Sequence, residues 1–407
     1  MKFIIKGAVL LTPMLALATP AFAYNPPNLL ADTSQPGSVI VFPKFINMPP
    51  VVTNGDMAVL PRTEIEIGAV CPPAVTAAGG ACAAHQTVTV NFHWVCPGTQ
   101  SATTSNICPE TSFQVTLSTD GKLAFTADGL GSTELNSNSP PVPAAPCPRG
   151  YLIGWVVNPN TNTPIKFDGL IGNAVIRGPQ LGAGPDTGFS TAVSAYNALG
   201  IQADPALPAS AAGTPINAPI DPLTSEYVLA FGVAGQYTTV PGTLFGDVKY
   251  DKTAPGAPAP TNALNETYLI LLTLDVRSNQ PNFPTLVPET FYNESDEVTS
   301  TTNPNFERFV DTNREFLCWD QASLSNDINA NLTQTFMQTR KGIVIAGPAQ
   351  KTPELGIFDT AGPATLIGLV ETIEGSIGNS FMERKYNFNM STNSAPIITT
   401  YVPFPPF

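Results

Sequence analysis

The sequence predicts an all-β protein: one or two antiparallel β-sandwich units, immunoglobulin-like in architecture only, with one or two short helices and Pro-rich loops. Three observations point there. Short runs of β-branched and aromatic residues recur along the chain, separated by turn residues. The 407 residues include 42 Pro and 32 Gly, so turns are frequent, yet 43% of the residues are apolar and supply a core. Six cysteines follow an N-terminal segment with the features of an export leader, as in disulfide-braced exported chains.

The leader comes first. Lys2 and Lys6 precede or flank the start of an apolar run over residues 7–18, and Ala21-Phe22-Ala23 places small residues where a signal peptidase cuts. A bilayer span takes about 20 apolar residues, more than this run offers. Residues 1–23 therefore read as a signal peptide, and the mature chain is expected to carry no transmembrane helix. Residues 24–203 read as a Cys-rich sandwich domain and 204–222 as a Pro/Ala-rich linker. Residues 223–407 read as a second sandwich domain or the second half of one joint unit.

Strand signals dominate both halves. In the first they cover residues 38–45, 63–67, 87–95, 113–117, 122–126 and 151–157. In the second they cover 227–233, 267–276, 315–319, 342–346, 365–373, 385–390 and 397–402. The 87–95 run is the clearest. Val88, Val90, Phe92 and Trp94 share one face, and Thr89, Asn91 and His93 share the other, as in a strand with one face in water. Asp120-Gly121 between two runs signals a hairpin turn. Helix signals are few. Val193, Tyr196 and Leu199 have helical spacing over 190–199, and Ile328, Leu332 and Phe336 repeat it over 327–338.

The cysteines are Cys71, Cys82, Cys96, Cys108, Cys147 and Cys318. An even count in an exported chain reads as disulfides, with a pair of unbridged buried thiols as the alternative to full pairing. Under full pairing, one of the first five must reach Cys318 and fasten the front of the chain to the back. Cys71, Cys96, Cys108 and Cys147 each precede a Pro, which places them at strand ends or in loops. True immunoglobulin ancestry is not expected. Ala145 stands where a Tyr would precede the second Cys of that signature.

Charge narrows the partners. Eighteen Lys and Arg against 31 Asp and Glu give a net charge of −13, with no basic cluster to replace counterions along phosphates. Nucleic acid is excluded on that ground, and an anionic membrane surface is disfavoured. Only two His exist, His85 and His93. With Cys82 and Cys96 they spell C-x2-H-x7-H-x2-C, four possible zinc ligands. His93 and Cys96 leave opposite faces of the same strand, so the expectation is a disulfide at Cys96 and a surface His93. Redox C-x-x-C, nucleophile-elbow and phosphate-loop motifs are absent, and no cofactor is expected. Glu294, Asp296 and Glu297 form the densest acidic patch. They are low-ranking calcium candidates, since the run lacks the calcium-loop pattern. Glu64 and Glu66 share one strand face and read as solvated.

These features point to an exported, disulfide-stabilised, non-enzymatic surface or extracellular protein, with periplasm also open. Its role is expected to be structural, adhesive or assembly-related. The partners expected are a cell-envelope or extracellular protein or polysaccharide, with self-association open. Two alternatives stand beside it. One is a carbohydrate-binding or carbohydrate-active sandwich that stacks sugars on exposed Trp rings. The other is an outer-membrane barrel, weakened by Pro403, Pro405 and Pro406 just before Phe407.

Overall fold

The computed structural model describes residues 35–48, 62–99, 107–129, 141–177, 193–220, 227–240, 242–249, 264–274, 276, 284–293, 309–310, 314–323, 341–351, 362–375, 381–385 and 398–402. The front half contains β1 (Val39–Ile46), β2 (Arg62–Ala69), helix α1 (Pro73–Ala77), β3 (Thr87–Val95), β4 (Glu110–Ser118) and β5 (Lys122–Thr126). It continues through β6 (Arg149–Val157), β7 (Ile165–Lys166), β8 (Leu170–Arg177), β9 (Val193–Asn197), β10 (Leu199–Ile201) and β11 (Thr214–Pro215). The back half contains β12 (Tyr227–Phe231), β13 (Leu244–Lys249), β14 (Leu264–Leu272), β15 (Thr285–Val287), β16 (Glu289–Asn293), β17 (Phe309–Val310) and β18 (Arg314–Phe316). The remaining strands are β19 (Trp319–Ser323), β20 (Lys341–Ala346), β21 (Gln350–Lys351), β22 (Gly362–Pro363), β23 (Ile367–Gly375), β24 (Phe381–Lys385) and β25 (Ile398–Val402).

The protein is all-β, as the strand pattern predicts. Sheet A has the order β10-β1-β6-β3-β4, and sheet B has β5-β2-β8-β9. Their facing sides form a sandwich closed by Phe45, Phe92, Trp94, Phe113 and Phe125, whose ring centroids lie 4.9–6.2 Å apart. In the back half, sheet C is β19-β14-β23-β24, sheet D is β13-β20-β16-β17 and sheet E is β18-β15-β21-β22.

Strand β14 explains how the layers stack. Tyr268, Ile270 and Leu272 join the core that also holds sheets A and B, whereas Leu269 and Leu271 join a second core. That second core takes Leu244 and Ala346 from sheet D and Val287 and Phe316 from sheet E. Opposite β14, Leu369 and Ile367 of β23 follow the same division, with Val370 on the second side. Period-2 alternation thus serves two cores at once, and the layers run B, A, C, D. Such strands read as unbroken apolar runs, Val39-Ile40-Val41-Phe42 and Tyr268-Leu269-Ile270-Leu271-Leu272.

Two local expectations are corrected. The described part of the 190–199 helix expectation, residues 193–199, is strand instead: β9 belongs to sheet B and β10 to sheet A, with Ala198 at the crossing. The three-residue spacing of Tyr196 and Leu199 arises because the chain changes sheets between them, leaving both buried. Asp120-Gly121 does not close a hairpin. Asp120 takes a left-handed φ of 67°, and the turn carries the chain from β4 in sheet A to β5 in sheet B. Helix α1, of five residues, lies in the loop between Cys71 and Cys82. The 327–338 helix expectation lies outside the described residues. Segment 204–220 packs on the front unit: Lys166 Nζ donates to the carbonyls of Asp204 and Leu207, both at 2.8 Å, and β11 pairs with β7.

The two halves meet at a polar seam in an apolar interface. Pro43 has no N–H, and the β1–β6 register slips between Phe42 and Phe45. The freed groups find side-chain partners. Trp319 Nε1 donates to the Pro43 carbonyl at 2.8 Å, and Lys44 N donates to Tyr196 Oη at 3.2 Å. Lys44 itself is fully buried, and its ammonium is paired with the carboxylate of Glu371 on β23. Tyr151 Oη donates to the Thr273 carbonyl at 3.2 Å. The Cys108–Cys318 disulfide spans 210 residues of sequence across the same seam.

Removing one member of a buried ion pair strands the other charge, at a cost of about 3–5 kcal/mol. Lys44→Met should lower the urea midpoint accordingly, and Lys44→Met with Glu371→Leu should recover most of the loss. Separately, Cys108→Ala with Cys318→Ala should cost about 2–5 kcal/mol, read as the shift between variant and parent under non-reducing conditions.

Candidate functional site

All six cysteines are paired: Cys71–Cys82, Cys96–Cys147 and Cys108–Cys318. The sequence-level zinc pattern is therefore divided between two disulfides, which take Cys82 and Cys96. Its two histidines also part company. His85 is exposed, with a left-handed φ of 57°. His93 is 1% exposed, which corrects the expectation of a surface side chain. The face assignment holds, but that face is buried, and it carries Trp155 of β6 and Tyr151, whose hydroxyl reaches the Thr273 carbonyl of the back half. His93 stacks on Trp155 at 4.8 Å between centroids, and its Nδ1 lies 3.4 Å from Glu110 Oε2. The calcium candidates Glu294, Asp296 and Glu297 lie outside the described residues, as do residues 1–23 and Phe407.

The three Trp side chains, which the sugar-stacking reading required at the surface, are buried. Trp94 is sealed in the sandwich with its Nε1 donating to the Pro143 carbonyl, Trp319 sits at the seam, and Trp155 lies under His93.

The outer face of sheet B carries an open concavity of about 330 Å³. Its floor is a cross-strand row. Glu66 on β2 is opposite Asn173 on β8, which is opposite Asn197 on β9. Next to it, Gly68 is flanked by Lys122 and by Ile171, an exposed apolar side chain. Lys122 Nζ lies 2.9 Å from Glu66 Oε1, and Asn173 Nδ2 donates to Glu66 Oε2 at 3.4 Å. The Lys122 hydrogen bond leads in holding the Glu66 carboxyl below its usual range. Both side chains are solvated, so the pair itself adds little stability. The cleft is an amide-lined surface with one Lys–Glu pair and one aliphatic platform. The sequence flagged Glu66 only as a solvated strand residue. Asn173 and Asn197 carry no motif, and only strand register brings them beside it.

A second polar cluster ties the 204–220 segment down. Asp168 is buried, and its Oδ1 accepts from Ser38 Oγ at 2.7 Å and from Ala203 N at 2.8 Å. Lys166 Nζ lies 4.0 Å from the other oxygen. Burial raises the Asp168 carboxyl above its usual range against these hydrogen bonds, and burial likewise lowers the Lys166 ammonium. Fully buried Tyr237 is pushed upward, first by burial and then by the Asp168 charge.

Among the described residues, no cluster of three or more His, Cys, Asp or Glu is placed to hold a metal ion. No helix among them is long and apolar enough to cross a membrane. Comparison with models of known protein families and with characterised proteins finds no match.

The Asp168 shift has a sign that can be measured. The folded protein keeps this proton to a higher pH than the unfolded chain does. The contribution of Asp168 is therefore fully present below 3.8, its reference value, and declines as pH rises through the raised folded value. Asp168→Asn should flatten that decline, so the stability difference between variant and parent, from urea midpoints at about pH 4 to 7, should change in the variant's favour with rising pH.

Proposed function

We propose that this chain is an exported, non-catalytic protein of the cell surface or extracellular space, with a structural, adhesive or assembly role. The observation that carries the reading is the bracing of two sequence halves into one body. The seam holds a 210-residue disulfide, a buried ion pair and a core common to both halves. Disulfides of this kind persist in oxidising compartments, and the signal-peptide pattern of residues 1–23 supplies the route there. Low charge suits persistence outside the cell.

The cleft on sheet B favours a second reading, binding of a neutral polyhydroxylated ligand such as an envelope or extracellular polysaccharide. Glu66, Asn173, Asn197 and Lys122 offer both donors and acceptors, and Ile171 offers an apolar contact. The pair Glu66 and Lys122 leaves the cleft without net charge, which selects against ionic ligands.

Expression of the full chain, followed by fractionation, non-reducing peptide mapping and native mass measurement, tests the first reading. Leader-cleaved, fully oxidised protein should be recovered outside the cytosol, bound to envelope material or to itself. Cytosolic protein with free thiols, or an exported monomer that binds nothing, overturns it. A glycan array tests the second. Signal should fall at least tenfold in Asn173→Ala/Asn197→Ala, and a blank array removes that reading.

A further inference from the structure

One face of β3 and β6 in sheet A holds three polar atoms that are sealed from solvent and have no hydrogen-bond partner among the described residues: Asn91 Oδ1, His93 Nε2 and Trp155 Nε1. Their residues are 3%, 1% and 2% exposed. They are neighbours. Asn91 is directly opposite Trp155 in the β3–β6 ladder, which sets their Cβ atoms about 4.5–5.5 Å apart. His93 lies two residues along the same face of β3, and its ring stacks on the Trp155 indole at 4.8 Å with 12° between planes. One buried orphan is an irregularity, but three on adjacent positions of one face define a site, because a buried polar atom left without a hydrogen bond is costly.

The chemistry of the three atoms selects the occupant. The Trp155 indole is a donor only, and the Asn91 carbonyl oxygen is an acceptor. His93 Nδ1 faces the Glu110 carboxylate at 3.4 Å, which accepts its proton in a hydrogen bond. A neutral imidazole held that way presents Nε2 as an acceptor. The site thus offers two acceptors and one donor. A metal ion would meet the indole N–H head-on, and an anion would meet two acceptors. One water molecule matches, donating twice and accepting once, and three hydrogen bonds are the usual complement of a buried water.

We infer that Asn91 Oδ1, His93 Nε2 and Trp155 Nε1 together bind a single internal water, a structural site on the buried β3–β6 face of sheet A. The water completes the hydrogen bonding of a face that could not be apolar without losing the His93–Glu110 contact. Burial of all three residues gives it a long residence time, since release requires the structure to open locally.

The chain has only three Trp, and this makes the test selective. Trp94 and Trp319 donate to the carbonyls of Pro143 and Pro43, at 3.0 and 2.8 Å. Full-length oxidised protein labelled with 15N at Trp should give three indole resonances, assigned by single Trp→Phe variants in turn. If one such variant fails to fold, the other two still assign all three resonances. A water cross-relaxation peak, separated from proton exchange by its sign in the rotating frame, should appear at Trp155 and be at least fivefold weaker at Trp94 and Trp319. A Trp155 indole with no water peak overturns the inference. A high-resolution crystal structure gives the independent reading: density within about 3.2 Å of all three atoms is expected. A side chain or metal ion in that position overturns the inference as well.

Discussion

Sheet A is covered on both faces, and that constraint organises the molecule. Strands β1, β3 and β6 are buried along almost their whole length. Nothing polar can sit there without a specified partner, because an unpaired buried charge or amide costs more than most single contacts supply. The polar groups where the sheet meets the back half are accordingly matched. Lys44 meets Glu371, and the carbonyl of Pro43 meets the Trp319 indole. His93 meets Glu110 and Trp155. Several of these partners come from a distant stretch of chain, so the front sandwich and the back half specify one another.

The same constraint shows why the strands were legible and their surroundings were not. Runs such as residues 87–95 and 122–126 announce themselves by β-branched and aromatic content, and the structure places strands with those bounds. Alternation in 87–95 also assigns the two faces correctly. It cannot report what covers the second face. Thr89, Asn91 and His93 look like a solvent face because their composition is polar, but a polar face buried with partners has the same local pattern. Partners of that face lie far along the chain, as Tyr151 with Thr273 shows, where no window of periodicity reaches.

Residues 190–199 fail for a related reason. Three apolar residues at intervals of three satisfy a helical template, but a strand that passes from one sheet to another produces the same interval without a helix. The pairing Asn173 with Asn197 is the deciding information, and it is long-range. The cysteines behave differently. Parity alone requires a link from the first five to Cys318, because counting is insensitive to distance. The identity of the partner, Cys108, needs the seam, since it depends on which strand end the back half approaches.

The candidate surfaces divide along the same line. The cleft on sheet B is built from Glu66, Asn173 and Asn197, three strands wide and one residue deep per strand, so no segment of sequence contains it. Its polarity is permissible because that side of sheet B is the outer one. The buried trio on β3 and β6 is polar under the opposite condition, with each atom requiring a fixed partner. A chain that keeps polar groups in both settings uses them differently. On the outer face they are free to contact an external ligand, and inside they fix how the two halves register. Rigidity at the seam is what lets a shallow, uncharged outer face keep one shape, and a fixed shape is the property that a weak, multivalent contact at a surface depends on.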